Sequence, residues 1–434
     1  PAGPRLHDGA GRRDGAAGVK SGERSLPAAD LLISGASELI TGSRGSDRAS
    51  VLNRIPGGAV AISGDRVIAV GPESEVRRAV GLDGARFLDA RRGVVAPGFV
   101  DAHTHLVFGG SRMREYAARL TRTREETEAI GIPVGILATV EATRRASREE
   151  LAAAARPRLD EMLVHGTTTA ESKSGYGLTT ADEVKLLEVN RWLDAEHPVD
   201  LLSTFMGAHD IPPETDRKRY VDEVVAEQIP EVARLDLARF CDVFCDDGWF
   251  TPEDAERVLE AGVSAGMSPK IHAEQYARTG GAGVAAGLGC VSADHLNYAT
   301  RDDLEAMAAA GVTAVLMPLI DFAVKHPRPI DARMWLEAGL TVGLGTDLCP
   351  GGYTASMPLV VQFACRVNGL SPEEAILAAT AGAATACGLA DRGTLAPGAL
   401  ADLQVWDVAS LEEMVYRIGH NPVRTVIKRG KVVY

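Results

Sequence analysis

The sequence predicts an α/β chain: a (β/α)8 TIM-like barrel with a small β-sandwich domain built from both ends. Three observations predict it. Eight apolar strand-like runs alternate with amphipathic stretches, at 95–105, 167–174, 201–209, 240–245, 269–275, 290–295, 313–317 and 341–347; such alternation builds a parallel sheet with helices outside it. Short β-like runs, punctuated by Gly-Asp and Gly-Pro turns, crowd both ends of the chain. Polar residues close the middle strands, and a barrel collects its chemistry at those C-terminal ends. An open doubly wound sheet fits the alternation less well.

The elements follow in order. Residues 1–29 are rich in Gly, Ala and Arg without an apolar period, so a flexible arm is expected there. Residues 30–93 and 392–434 form the composite small β domain, from runs at 31–33, 59–62, 67–70, 87–88, 401–406 and 423–433. Lys428-Arg429-Gly430-Lys431 reads as a hairpin tip. Residues 94–391 form the barrel, with helices expected at 181–192, 252–265 and 301–310. Thr180-Ala181-Asp182-Glu183 has the form of a capping box.

Composition narrows the function. With 45% apolar and 24% charged residues, the chain is neither disordered nor fibrous. The aromatic share of 5% leaves the core to Ala, Val, Leu and Ile. The net charge of −13 argues against nucleic acid as a partner, and an anionic substrate would need local cations to enter. Cys241, Cys245, Cys290, Cys349, Cys365 and Cys387 form no CxxC pair and read as reduced, in a cytoplasmic protein. No run approaches the ~18 apolar residues of a membrane span. Arg12-Arg13 has no hydrophobic segment behind it, so no signal peptide is expected.

The strand ends carry the chemistry. Strand one ends Asp101-Ala102-His103-Thr104-His105, and residues two apart share a face. Later strands end in His209-Asp210, His272-Ala273-Glu274-Gln275, Asp294-His295 and Thr346-Asp347. A lone strand-end histidine is usually a satisfied hydrogen-bonding group. Several on separate strands, with a carboxylate, suit a divalent cation that keeps one position open. Such a cation makes water a nucleophile at neutral pH. His165, His197, His326 and His420 read as surface or structural. Gly281-Ala282-Gly283-Val284-Ala285-Ala286 mimics a dinucleotide fingerprint but lacks an acid ~20 residues on, so it reads as a tight turn. Cys349 has no triad around it and reads as pocket lining.

These residues resemble the amidohydrolase superfamily. The carriers are Pro97-Gly98-Phe99-Val100-Asp101-Ala102-His103-Thr104-His105, then His272, His295 and Asp347. Within it, the strings His103 to Gly110 with Arg112, Glu171 to Leu178, Gly207 to Asp210, His272 to Gln275 and Ser292 to Leu296 are similar to one branch. That branch hydrolyses 4-imidazolone-5-propanoate to N-formimidoyl-L-glutamate in histidine degradation. The resemblance spans about 97–389. It implies His103, His105, His272 and Asp347 as ligands of one Zn or Fe, with no bridging lysine at the end of strand four. It places Arg112, Tyr176, His209 and Gln275 at substrate-binding positions, where Arg112 could clamp a carboxylate bidentately. Asp347 is expected to relay a proton, His295 to polarise the carbonyl, and Glu274 to be a second proton-transfer group. A homodimer is expected by the same resemblance.

Two departures bear on the substrate. The family runs from the strand-eight Asp to Asn, Pro, Gly and a Ser or Thr; here Cys349 replaces the Asn and Gly352 the hydroxyl residue, while Pro350 and Gly351 remain. Cys349, Gly351 and Gly352 are therefore expected to line the substrate pocket. Where the family carries glycines, this chain has Ile130-Gly131-Ile132-Pro133-Val134-Gly135-Ile136. The hydrolytic set is kept and the recognition shell is altered, since losing hydrogen-bonding groups can retarget a site. The reading is a metal-dependent hydrolase of a cyclic amide or amidine bearing a carboxylate. A paralogue opening or deaminating another nitrogen heterocycle is the alternative. An inert barrel would have lost ligands, and all four are present.

Overall fold

The computed structural model describes residues 26–43 and 51–434. The arm expected at 1–29 lies outside them as far as residue 25; beyond that, Ala29 N donates to Gly81 O at 2.9 Å. Eight parallel strands form one sheet in sequence order: Phe99–Asp101, Thr167–Lys173, Asp200–Ala208, Phe240–Cys245, Ser268–Ala273, Ser292–His295, Thr313–Leu316 and Thr341–Leu344. The first and last meet through Ala102 N→Leu344 O at 3.2 Å, Asp347 N→His103 O at 2.9 Å and His105 N→Leu348 O at 2.9 Å. The barrel is thereby closed next to the residues that matter.

The run at 95–105 is not one barrel strand. Val94–Pro97 pairs antiparallel with Leu403–Trp406 in a separate six-stranded sheet, and only Phe99–Asp101 enters the barrel. Gly98 is the junction. A Cβ there would stand 2.3 Å from the Thr168 side chain, so only glycine lets the chain pass.

The six-stranded sheet joins Glu38–Ile40, Arg54–Pro56 and Val94–Pro97 to Leu403–Trp406, Val423–Lys428 and Lys431–Val432. A four-stranded sheet of Leu31–Ser34, Gly58–Ser63, Arg66–Pro72 and Arg86–Asp89 faces it. Leu31, Ile33, Val60 and Ile62 interleave with Val95, Leu403, Val405 and Ile427 in the core between them. Leu32 and Ala61, one residue out of step, pack on the other side with Val76. This is the two-residue alternation of a sandwich strand. Arg429 and Gly430 both take positive φ at the predicted hairpin tip.

Helix starts follow local chemistry. Thr251 with Asp254 and Thr300 with Asp303 form capping boxes. The helix Thr180–Glu196 starts one residue earlier than expected: its cap is Thr179, which accepts from Asp182 N at 3.2 Å. Glu183 is drawn elsewhere. Its buried carboxylate accepts from the amides of Gly175, Gly177 and Leu178 at 2.7–2.8 Å, fixing the loop that presents Tyr176.

The barrel axis is polar where branched apolar side chains are usual. Glu171, Lys173, Asp242, Lys270 and Asp294 are fully buried inside it. They form a floor beneath the strand ends.

Candidate active site

The backbone aims the strand-end residues inward. After Phe99–Asp101 the chain is tied down by Arg158, whose Nη1 donates to Leu106 O at 2.7 Å while its guanidinium lies 3.5 Å from the Phe108 ring centre. At the other strand ends His295 and Asp347 take positive φ, 75° and 48°. Such backbone costs ~1–3 kcal/mol per residue and tends to be kept where side-chain aim matters.

His103, His105 and His272 each bring a ring nitrogen within 4.8 Å of the others, and His103, His295 and Asp347 do likewise. Asp347 Oδ1 stands 3.7 Å from His103 Nε2 and 4.0 Å from His105 Nε2. Both distances exceed a hydrogen bond and suit donors that share a cation held at ~2.0–2.2 Å. Among the described residues, His103 Nε2 and His272 Nε2 are buried without a hydrogen-bond partner. Buried polar atoms are almost always satisfied, so these bare nitrogens fit a metal and fit nothing in the protein.

The opposite edges of the rings explain why. His103 Nδ1 lies 2.6 Å from Asp294 Oδ2, and His272 Nδ1 lies 3.1 Å from Asp242 Oδ1. A carboxylate on Nδ1 fixes the proton there and leaves Nε2 as a lone-pair donor. Burial, reinforced by the charge of Lys173, holds both imidazoles well below their usual pKa, so they are neutral at pH 7. Burial likewise drives His295 down to about 3 and His209 to about 4. Asp347 is pushed the other way, well above the usual carboxylate range, because its charged form loses solvent. A bound cation would reverse that preference.

A cavity of about 410 Å³ opens over these groups. His105, Arg112, Tyr176, His209, His272, Gln275, His295, Asp347, Cys349 and Gly351 line it together. His209 stacks on His105 at 4.7 Å and its Nδ1 meets Gly175 O at 2.9 Å, so Nε2 is its free edge. Arg112 gives two of its donors to Glu115, at 2.5 and 2.8 Å. A guanidinium has five N–H groups, so a second carboxylate can still be held. Arg119 and Arg124 share the cavity wall, supplying cations at the mouth of a chain with net charge −13. Gly135 and Ile136, from the segment where the family carries glycines, line the same wall.

Two expected residues stand apart. Glu274 points away from the cavity: it accepts from Thr279 N, Gly280 N and Ala282 N at 2.9, 2.9 and 3.3 Å, at the start of the helix Gly281–Leu288. Its carboxylate caps a helix N-terminus, and the glycine string is not the tight turn expected of it: Gly281 to Ala286 form the first turns of that helix. Gly352 borders a neighbouring cavity of about 780 Å³, where a Cβ would meet Ile320 Cδ1 at 2.4 Å. An apolar side chain occupies the space a hydroxyl residue would need.

Sequence reasoning gave Lys173, Asp242, Asp294, Glu115 and Glu183 no role in the site. A signal existed for three of them. Phe240-Cys241-Asp242-Val243-Phe244 puts a carboxylate mid-strand, while Lys173 and Asp294 sit in strands buried throughout. Such charges are almost never buried unless paired.

A parallel eight-stranded barrel whose mouth gathers three histidines and an aspartate around bare nitrogen lone pairs defines a metal-dependent hydrolase. The chain belongs to the Amidohydrolase family, whose family model matches residues 94–433. Over most of its length it is similar to imidazolonepropionases. It is 46% identical over 393 residues to the imidazolonepropionase of Geobacillus kaustophilus, covering 89% of this chain and 92% of that one. With that of Symbiobacterium thermophilum it shares 45% over 415 residues, 93% and 97% of the two chains. Among solved structures it resembles a zinc-bound adenosine deaminase from Xanthomonas campestris (TM-score 0.68, 19% identity, 94% and 93% covered). It also resembles the A. niger ochratoxinase (TM-score 0.64, 22% identity, 94% and 96% covered). At those identities the likeness is one of fold. Among the described residues, no helix is long and apolar enough to cross a membrane.

Proposed function

We propose that this chain hydrolyses 4-imidazolone-5-propanoate to N-formimidoyl-L-glutamate, with zinc or iron at His103, His105, His272 and Asp347. One observation carries the reading: Arg112 shares a single cavity with His105, His272 and Asp347 and with Tyr176, His209 and His295. The names and identities of the imidazolonepropionase relatives support it. A cation held there acidifies the attacking water and polarises the ring carbonyl.

The chain's own residues do the rest. Arg112 holds the propanoate with the donors Glu115 leaves free, and Tyr176 and His209 hydrogen-bond the ring. Asp347 takes the proton of the attacking water as oxygen bonds to the carbonyl carbon. His295, neutral at pH 7, donates to the oxygen that gains charge. The C–N bond then breaks, and the proton held by Asp347 passes to the departing nitrogen. Atoms balance as substrate plus one water.

A different carboxylate-bearing heterocycle is favoured by one feature: Ile136, Ile320 and Cys349 line the cavity with apolar groups. Incubating metal-loaded protein with freshly made 4-imidazolone-5-propanoate and weighing the product by mass spectrometry decides between them. Gain of one water supports the first reading; unchanged substrate with metal bound supports the second. We further read the chain as a cytoplasmic homodimer. All six cysteines are free, as suits a reducing compartment, and Met113, Tyr116, Phe322 and Tyr353 leave apolar surface exposed around one groove. Sedimentation reads the oligomeric state directly.

A further inference from the structure

Below the ligand cluster lies a lysine that the proposed chemistry leaves unused. Lys173 closes the second barrel strand, and its side chain is fully buried. Its Nζ lies 2.7 Å from Glu171 Oε1, 2.7 Å from Asp242 Oδ2 and 3.4 Å from Asp294 Oδ2. Asp242 and Asp294 are the two carboxylates that orient His272 and His103. Asp242 Oδ1 also accepts from His272 N at 3.2 Å. One ammonium therefore bridges the supports of two imidazoles that arrive from opposite sides of the barrel. The main chain repeats the connection, since Lys173 N donates to Thr104 O, between His103 and His105, at 2.9 Å.

Asp242, His272 and Asp294 bring donor atoms within 4.8 Å of one another, as if for a second cation. The ammonium of Lys173 already bonds two of the three. Moving buried carboxylates out of water costs several kcal/mol each unless they are paired. Three of them, Glu171, Asp242 and Asp294, share Lys173 here, with Lys270 3.4 Å from Glu171. Without that charge Asp242 and Asp294 repel one another and would swing off the imidazoles. The rings would then lose the fixed tautomer that bares Nε2.

We infer that Lys173 is a positioning residue for the metal: a built-in cation that locks Asp242 and Asp294 onto His272 and His103. This rests on the reading of His103, His105, His272 and Asp347 as metal ligands.

Lys270 supplies the control. It is equally buried, but it contacts Glu171 and Ala102 O and reaches the orienting carboxylates only through space. The test is cobalt(II) titration of metal-free full-length protein, following the visible ligand-field bands and the affinity by chelator competition. Wild type should take up one cobalt with a defined spectrum. K173M should bind about 10–100-fold more weakly, the usual cost of losing an outer-shell partner, with displaced bands. K270M should lose thermal stability but keep the wild-type spectrum and affinity, and K173R should recover the bands at least in part. K173Q replaces K173M if the latter does not fold. A folded K173M or K173Q with wild-type spectrum and affinity overturns the inference, as does a K270M that matches K173M or a K173R no better than K173M. A wild type that takes up no cobalt overturns the metal reading, and this inference with it.

Discussion

His103 Nδ1 and Asp294 Oδ2 lie 2.6 Å apart, both fully buried, and this contact decides which edge of the first histidine faces the site. With the proton fixed on Nδ1, Nε2 has no hydrogen-bond partner among the described residues. D294N keeps the size of the side chain but weakens the bond. Metal affinity should fall about 10–100-fold, read by competition with a chromophoric chelator; unchanged affinity would mean the contact is incidental.

Arg112 is held by Glu115 and lines the cavity. If it grips the substrate carboxylate, R112M should lower kcat/KM by about 10–100-fold, the ~1.5–3 kcal/mol of a hydrogen bond to a charged group. The loss should appear chiefly in KM, because the same contact exists before and during reaction. Steady-state kinetics checks it; a loss confined to kcat would place Arg112 at the reacting atoms instead.

Restoring the hydroxyl at position 352 should not restore a wild-type family pocket. Ile320 Cδ1 would lie 2.4 Å from the new Cβ; as the end of a side chain it can rotate aside, at the low end of the ~1–3 kcal/mol of overpacking. G352S should melt at a lower temperature than the wild type, and G352S with I320A should recover most of the loss. Calorimetry of the two variants tests the coupling.

His209 sets a pH dependence. Burial lowers it to about 4 in the folded protein, against an ordinary value near 6.5. Between those values the unfolded chain binds a proton that the folded one refuses. Its contribution is therefore intact above pH ~6.5 and is lost as pH falls toward 4, on the order of 2–3 kcal/mol. Urea unfolding at pH 7.5 and 4.5 should show a larger loss for wild type than for H209Q. Equal losses would contradict the burial argument.

Much of this was legible in the residues, for reasons the structure makes plain. Barrel strands and the candidate ligands stand out because histidines and an aspartate recur at the ends of apolar runs. The split of 95–105 at Gly98 was hidden, since one continuous apolar run serves two sheets and only the contact with Thr168 separates them. Glu274 looked reactive from its place beside His272, but its positive φ turns the side chain onto the next helix. Lys173 drew no reading of its own from the sequence; its three carboxylate neighbours come from strands two, four and six, a convergence that no local pattern encodes.

The central claim is that this cavity opens a carboxylate-bearing imidazolone with a single bound cation. Its most direct measurement is kcat/KM for 4-imidazolone-5-propanoate with protein that is metal-loaded, then chelated, then reloaded. The account predicts a value within the ~10⁴–10⁸ M⁻¹s⁻¹ range of working enzymes, abolished by chelation and restored by one equivalent of metal. Protein carrying one metal ion that leaves the substrate to its uncatalysed rate would contradict it.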